Sequence, residues 1–288
     1  MKRIFILLLV ITGVYIIFNQ SFQFNWFGAG ITDGQAAISK NIKVIKVDAG
    51  SVSTEIIPED RPDLKTVYNG KQKLTVTEKG NMVVVTLKKK WFNGFNFLSF
   101  SEKNKLKIYL PKDYDRSMVI DIGSGSLSFS GASKNTPMKL EELSIDIGSG
   151  NIHLKNLDVK NFTHEGSSGN VSIDTLTTKT GSFDFSSGNL NIKHYKGALE
   201  VDLSSGRLKV QLDELTDFVK IDVSSGMVDL DLPDDADFTL NGEADSGFIT
   251  NDFPLTSNGG SKKQIHGTHG TGKHKIDLDV SSGIIRIF

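Results

Sequence analysis

Two hydrophobic patterns divide this chain. Ile4 to Phe18 ("IFILLLVITGVYIIF") carry no charge, and the segment stays uncharged through "NQSFQFNWF" to Phe27. From Ile42 onward, apolar and polar residues alternate over short runs such as "IKVIKVD", "KLTVTE" and "KLKIYLP". That period of two is the pattern of half-buried β-strands. "MVVVTLK" is denser and reads as a strand covered on both faces, while "EDRPD" and "EKGN" read as turns. Helical periodicity is nowhere sustained beyond residue 27.

From Val119 the alternation is interrupted by a recurring small triplet. "DIGSGSLSF" stands at 121–129, "DIGSGNIHL" at 146–154 and "DVSSGIIRI" at 279–287. The final glycine of each unit falls at Gly125, Gly150, Gly169, Gly188, Gly206, Gly226, Gly247 and Gly283, at intervals of 25, 19, 19, 18, 20, 21 and 36. A fixed period near 20 residues signals a stacked repeat. The long intervals hold the insertions "ASKNTPMK" and "DFPLTSNGGSKKQIHGTHGTGK". In the unit around Gly188, alternation puts Phe183, Phe185, Leu190 and Ile192 on one inward face, with the triplet turning the chain between two strands. The glycines are expected to supply an unusual φ or to let the next coil approach closely. One coil cannot bury its own apolar face, but stacked coils can. The expected fold is all-β: a parallel β-solenoid, or β-helix, of about eight coils over 119–288, with a β region at 42–118 capping it. The closing strand "GIIRIF" is expected at an exposed edge, with Arg286 guarding it against edge-to-edge pairing.

Lys2 and Arg3 precede the apolar run, and the next positive charge is Lys40. This bias places the N-terminus in the cytoplasm and the rest outside. Fifteen helical residues rise about 22 Å, short of the roughly 30 Å hydrocarbon core. Extension to Phe27, with Phe22, Phe24, Trp26 and Phe27 as an interfacial belt, makes residues 1–27 a single transmembrane anchor. A cleaved secretory signal is the alternative. The small, polar stretch 28–41 reads as a stalk.

Composition narrows the chemistry. The 33 basic and 34 acidic residues nearly cancel, which argues against nucleic acid as a partner. Without cysteine, disulfides, thiolate catalysis and cysteine–zinc sites are excluded. With 28 glycines and six prolines, the chain suits a turn-rich β protein.

Three groups of residues are surface candidates. Four residues before each repeat glycine stands an acid: Asp121, Asp146, Glu165, Asp184, Asp202, Asp222, Glu243 or Asp279. In the regular repeats it lies between two inward residues, so the acids are expected to form an outward ladder. Neighbours about 5 Å apart would repel by about 1 kcal/mol per pair in water, so something must offset them. Hydrogen bonds from the serine–glycine turns are the expected offset; cation or ligand binding is the alternative. The calcium-binding nonapeptide places its aspartate after the glycines, so calcium is not inferred.

The second group is "KKKWFNGFNFLSF" (88–100). Lys88, Lys89, Lys90, Trp91, Phe92 and Phe95 surround the hairpin signal Asn93-Gly94. The segment suits either a cap on the first coil or a bilayer interface bearing anionic lipid, and the cap is the expectation. The third group is "HGTHGTGKH" (266–274). His266, His269 and His274 match a metal-ligand set only loosely, since no acid lies among them. The letters G-x-x-x-x-G-K lack the following Ser or Thr and lead into a strand rather than a helix. A glycine-rich excursion between coils is expected there. No nucleophile elbow, H-E-x-x-H or triad context appears, so no catalytic, metal or cofactor residue is assigned.

"LPKDYDRSMVIDIGSGSLSFSG", the recurring "SSG" units, "DLPDDADFTLNGEADSGFITNDFP" and "GTGKHKIDLDVSSGIIRIF" together resemble the LiaG-like family of membrane-anchored, adhesin-type domains, over roughly 42–288. The resemblance implies a non-enzymatic protein on the outer face of the cytoplasmic membrane, linked to the cell-envelope stress response. Its partner would be an unidentified envelope protein or polymer. Two other functions suit the residues: a polysaccharide-processing β-helix enzyme, and a sensor of cationic envelope-active peptides on the acidic face. Acids off the repeat register would favour the enzyme; acids in register favour structure.

Overall fold

Alternating residues can bury one face only if neighbouring strands keep register, because a slip of one residue turns every side chain over. A computed structural model describes residues 34–70, 72–88, 104–256 and 263–288. The expected anchor at 1–27 lies outside them, as do residues 28–33 of the stalk. Among the described residues there is no helix long and apolar enough to cross a membrane, and the regular structure is all β.

The centre of the sheet consists of β8 (Ser117–Ser130), β9 (Met138–Phe185), β10 (Asn189–Glu214) and β11 (Val219–Asp231), paired in parallel. The register equals one repeat: Asp121 faces Asp146, Gly125 faces Gly150, Asp202 faces Asp222 and Gly206 faces Gly226. The inward residues therefore stack by type. Ile120 lies on Ile145, Phe129 on Leu154, Ile192 on Ile173 and Val201 on Ile221, all buried.

At the N-terminal end, β2 (Val44–Gly50) and β3 (Ser53–Glu59) pair parallel to β8, with Asp48 facing Asp121. Outside them lie β6 (Met82–Lys88), parallel to β2, and β7 (Lys105–Pro111), parallel to β3. The region 42–118 is thus more than a cap, since both of its strand pairs continue the parallel stack. The capping strands are β4 (Asp63–Asn69) on β7 and β5 (Lys73–Lys79) on β6, both antiparallel. β1 (Gln35–Ala37) falls within the expected stalk but pairs antiparallel with β4 and buries Ala36. An alternating "QAA" beside an open strand edge gains backbone hydrogen bonds that a free stalk would lack.

The C-terminal end departs from chain order. β15 (His274–Val280) and β16 (Ile284–Ile287) both pair with β11. On their other side lie β12 (Phe238–Ala244) and β13 (Phe248–Asn251). The last strand is therefore interior, and Arg286 guards no edge. β14 (Gln264–His269), within the expected glycine-rich excursion, pairs antiparallel with β12 along six residues and covers that end. Ile265 lies over Gly242 there, where a Cβ would come within 2.5 Å of the isoleucine side chain.

Candidate functional site

All eight repeat glycines lie against the backbone of a neighbouring unit, and four of them also take a φ that other residues avoid. Gly150, Gly169, Gly188 and Gly206 have φ of 139°, 135°, 113° and 113°. Gly125, Gly226, Gly247 and Gly283 are not in that region, and there too the backbone of the neighbouring unit passes close. A Cβ on Gly283, for instance, would lie 2.9 Å from the Gly226 nitrogen.

A second corner recurs with the same period but no sequence signature. Asn156, Thr175 and His194 take φ of 52°, 68° and 55°. Asparagine tolerates this left-handed region, whereas a β-branched residue is a genuine outlier. Thr175→Asn is expected to raise stability by about 1 kcal/mol through release of that strain. Urea melts of the two proteins check it; an unchanged or lower midpoint would contradict the strain argument.

The carboxylates form one continuous outward row. Asp48, Asp121 and Asp146 face one another in turn, as do Asp184, Asp202, Asp222, Asp279 and Glu243. Glu165 feels the charges of both Asp146 and Asp184, which places it between the two halves. Asp48 is an addition that lacks the S-S-G triplet. The expected hydrogen bonds from the turns are not what offsets this charge. The turn amides bond the preceding unit instead: Ser187 N donates to Ser167 O, Ser205 N to Ser186 O and Arg207 N to Gly188 O. Parallel stacking consumes the donors that an Asx-type turn would need.

Charge is offset in two other ways. Lys220 Nζ lies 2.5 Å from Asp222 and 3.2 Å from Glu200. Elsewhere the row holds protons more tightly. Partial burial, then the neighbouring carboxylates, raise the Asp121, Glu165 and Asp202 carboxyls above the ordinary value. A folded-state value above the unfolded one means that folding is favoured below it and disfavoured as pH rises through it. Glu165→Gln is therefore expected to raise the melting temperature at pH 7, with the gain shrinking as pH falls into the carboxylate range. A gain independent of pH would rule out charge as its cause.

The loop histidines do not converge. His266 Nδ1 contacts Asn241 Oδ1 at 2.5 Å, while His269 Nδ1 donates to Pro254 O at 2.9 Å and its ring packs on Phe238 and Phe253. His274 begins β15 opposite Phe238. Among the described residues no cluster of metal-ligating side chains occurs. The turn with phosphate-loop letters has an internal occupant. The Asp237 carboxylate accepts hydrogen bonds from Gly272 N (2.6 Å), Lys273 N (3.0 Å) and the Thr271 hydroxyl (2.6 Å), which hold it down at about 2. An aspartate thus fills the amide pocket that a phosphate would need.

Of the aromatic hairpin, only Lys88 is among the described residues. It ends β6, exposed, opposite Lys73. Lys89, Lys90, Trp91, Phe92 and Phe95 lie outside.

A further cluster has no motif in the sequence. The outward row Ser126–Asn151 of the early units, continued by hydrogen-bonded Asn151, Asn170 and Asn189, becomes Arg207, Met227, Ile284 and Phe248 in the later ones. Two residues along, Lys209, Asp229, Arg286 and Thr250 stand side by side. Asp229 is only 5 % exposed, and Arg207 Nη2 and Arg286 Nε reach its two oxygens at 3.0 and 2.8 Å. Burial pushes its carboxyl up, but the two guanidinium groups outweigh burial and hold it below the ordinary value. The signal that could have found it is compositional: small polar residues give way to charged and large apolar ones at fixed repeat positions.

Among solved structures, the chain is similar to a candidate adhesin from Bacteroides fragilis NCTC 9343, at 15 % identity over 88 % of this chain and 97 % of that one, with a TM-score of 0.46. It is also similar to a candidate adhesin from Parabacteroides distasonis ATCC 8503, at 12 % identity over 91 % and 98 %, with a TM-score of 0.40. A candidate cell adhesion protein from Clostridium sporogenes ATCC 15579 aligns at 13 % identity over 88 % and 96 %, with a TM-score of 0.26. No curated protein matches. The model of one family, Toastrack DUF4097, matches residues 42–287, the whole of the parallel stack, and the chain belongs to that family.

Proposed function

We propose that this is a membrane-anchored, non-enzymatic interaction protein that presents a parallel β-solenoid on the outer face of the cytoplasmic membrane. The observation that carries the reading is the register of the acids. From Asp48 to Glu243 they stand side by side on one outward face, each beside its equivalent in the next unit. A glycosidase needs two carboxyl groups that flank the scissile bond from different directions. Neighbours in one row point the same way and share the same surroundings. Their regularity follows from the repeat and needs no selection for acid–base work.

The uncharged segment 4–27, with basic residues only before it, supports an anchor with its N-terminus inside. The resemblance to LiaG-like domains supports a place in the envelope stress response. A second reading, capture of cationic envelope-active peptides, is favoured by the continuity of the carboxylate row. In wall-stripped cells the full chain should fractionate with membranes, and external protease should digest 42–288 while residues 1–27 stay membrane-bound. A mature N-terminus near Ile31, with the domain released to the medium, would overturn the anchor.

A further inference from the structure

The later units carry a cleft of about 360 Å³ whose lining includes Arg207, Lys209, Asp229, Thr250, Asp252 and Arg286. Three cations face two carboxylates there, and one of the carboxylates, Asp229, has both oxygens committed to Arg207 and Arg286. An arginine carries five N–H donors in a planar fork. Arg207 spends one on Asp229, and Arg286 spends Nε and Nη2. Both side chains remain 45–46 % exposed, so each has donors left to offer outward. Lys209 has no carboxylate partner among the described residues. Asp229 thus acts as a buried post on β11 that fixes two guanidinium groups from the strands on either side of it, without neutralising the group as a whole.

The cleft also has an apolar flank. Met227, Ile284 and Phe248 form the adjoining outward row, and Phe248 and Ile284 are 60 % and 36 % exposed, among the largest apolar exposures in the described residues. Phe288, 46 % exposed, lines the other side. Sheet proteins usually keep charged residues, not phenylalanine, on such an outer face. The pairing of fixed, partly free arginines with an exposed apolar row is absent from β8, β9 and the start of β10, where the same positions hold serine and asparagine and one histidine, His153.

We infer that this cleft binds an oxyanion, a phosphate or a carboxylate group, borne on a ligand with an apolar face that lies along Phe248 and Ile284. Paired guanidinium forks match either oxyanion bidentately. Asp252 at the rim limits the net positive charge, so recognition depends on geometry at the arginines as well as on attraction. The inference rests on the interaction reading above and names a ligand chemistry for it. It does not depend on the anchor, whose topology is tested separately in cells.

The test uses the full chain in mild detergent, with phenyl phosphate, benzoate and methyl phosphate as probes, followed by saturation-transfer NMR and calorimetry. Phenyl phosphate or benzoate should bind saturably, and whichever binds more tightly identifies the oxyanion. Arg207→Gln should weaken binding at least tenfold. Lys209→Gln, which leaves both Asp229 pairs intact and so preserves the fold, should weaken it several-fold. Phe248→Ser should weaken phenyl phosphate several-fold and leave methyl phosphate unchanged. Absence of binding by both aromatic anions, or binding that survives in all three variants, would overturn the site. Either result would leave the protease topology of the anchor untouched, so the two ideas fail separately.

Discussion

Gly206→Val is expected to lower the free energy of unfolding by about 3–5 kcal/mol, combining backbone strain with overpacking. Gly206 has φ of +113°, a region that β-branched residues avoid. A Cβ there would also overlap the Gly188 carbonyl oxygen and come within 2.8 Å of the Gly188 nitrogen. Neither is a flexible side-chain end: both are backbone atoms of the bend between β9 and β10, which the next unit already holds through Ser205 N to Ser186 O and Arg207 N to Gly188 O, so relaxation would have to travel through the stack. Gly50 supplies the control. Its φ is +58°, yet nothing lies within 4 Å of its Cβ position. Gly50→Ala should therefore cost only about 1–2 kcal/mol, the conformational part alone. Urea denaturation of the two variants decides the matter. Equal losses would mean that close stacking contributes nothing at the turn.

Acidification from pH 6.5 to 4 is expected to remove about 3 kcal/mol of stability through a single side chain, His164, since each tenfold difference in proton affinity between folded and unfolded chains is worth about 1.36 kcal/mol. His164 is 1 % exposed and occupies an inward position among apolar residues. Its Nδ1–H donates to Ile145 O at 3.3 Å, its ring lies 5.9 Å from that of Phe185, and its Nε2 is buried without a hydrogen-bond partner. Burial pushes its pKa down to about 4, against a smaller upward effect of the Ile145 hydrogen bond. The unfolded chain then binds a proton that the folded chain refuses. The contribution is full above about 6.5, the unfolded value, and is lost as pH falls toward 4. The raised carboxyls of Asp121, Glu165 and Asp202 work in the opposite direction at lower pH, so wild type must be compared with a variant. His164→Leu should match wild type to within about 1.5 kcal/mol at pH 7 and exceed it at pH 4.5. Parallel pH profiles for the two proteins would show that His164 stays uncharged without cost.

The contrast between these two residues shows what the sequence makes legible. The glycines announce themselves because small triplets at a fixed period rarely arise outside a stacked repeat. Alternation around them also assigns the faces, which is why the acids fall in one outward row with Ile120, Phe183 and Val201 directed inward. His164 sits in the same alternation, but one polar residue in an apolar position gives no hint of whether its ring finds a partner. Thr175 and His194 mark a corner that no residue type announces, because the backbone there is dictated by the stack rather than by local preference.

The order of the units at the two ends is hidden for a different reason. Every parallel strand edge presents the same row of amides and carbonyls, so the edge of β11 accepts β15 as readily as β12. Spacings of 21 and 36 residues measure chain length and not neighbourhood. Small inward residues mark the outer strand over part of its length only, since β12 also buries Phe238 and Leu240. β12 carries Gly242 and Ala244 inward and can be closed by β14 through Ile265. β15 carries Leu278 and Val280, which suit an interior place beside Ile221 and Val223. The Arg207–Asp229–Arg286 group is hidden with it, since Arg286 meets Asp229 only once β16 lies beside β11.

Equivalent side chains stand in one register along a stack whose last unit is inserted out of chain order. The chain contains no cysteine, so pairs of introduced thiols report neighbours without background. Adjacent strands are about 4.8 Å apart and next-but-one strands about twice that, which dibromobimane, a short fluorogenic thiol crosslinker, distinguishes. Asp222→Cys combined with Asp279→Cys should crosslink, as should Asp279→Cys with Glu243→Cys, whereas Asp222→Cys with Glu243→Cys should not. Crosslinking of the last pair, with none in the first, would mean that the units stack in simple chain order and would contradict the account.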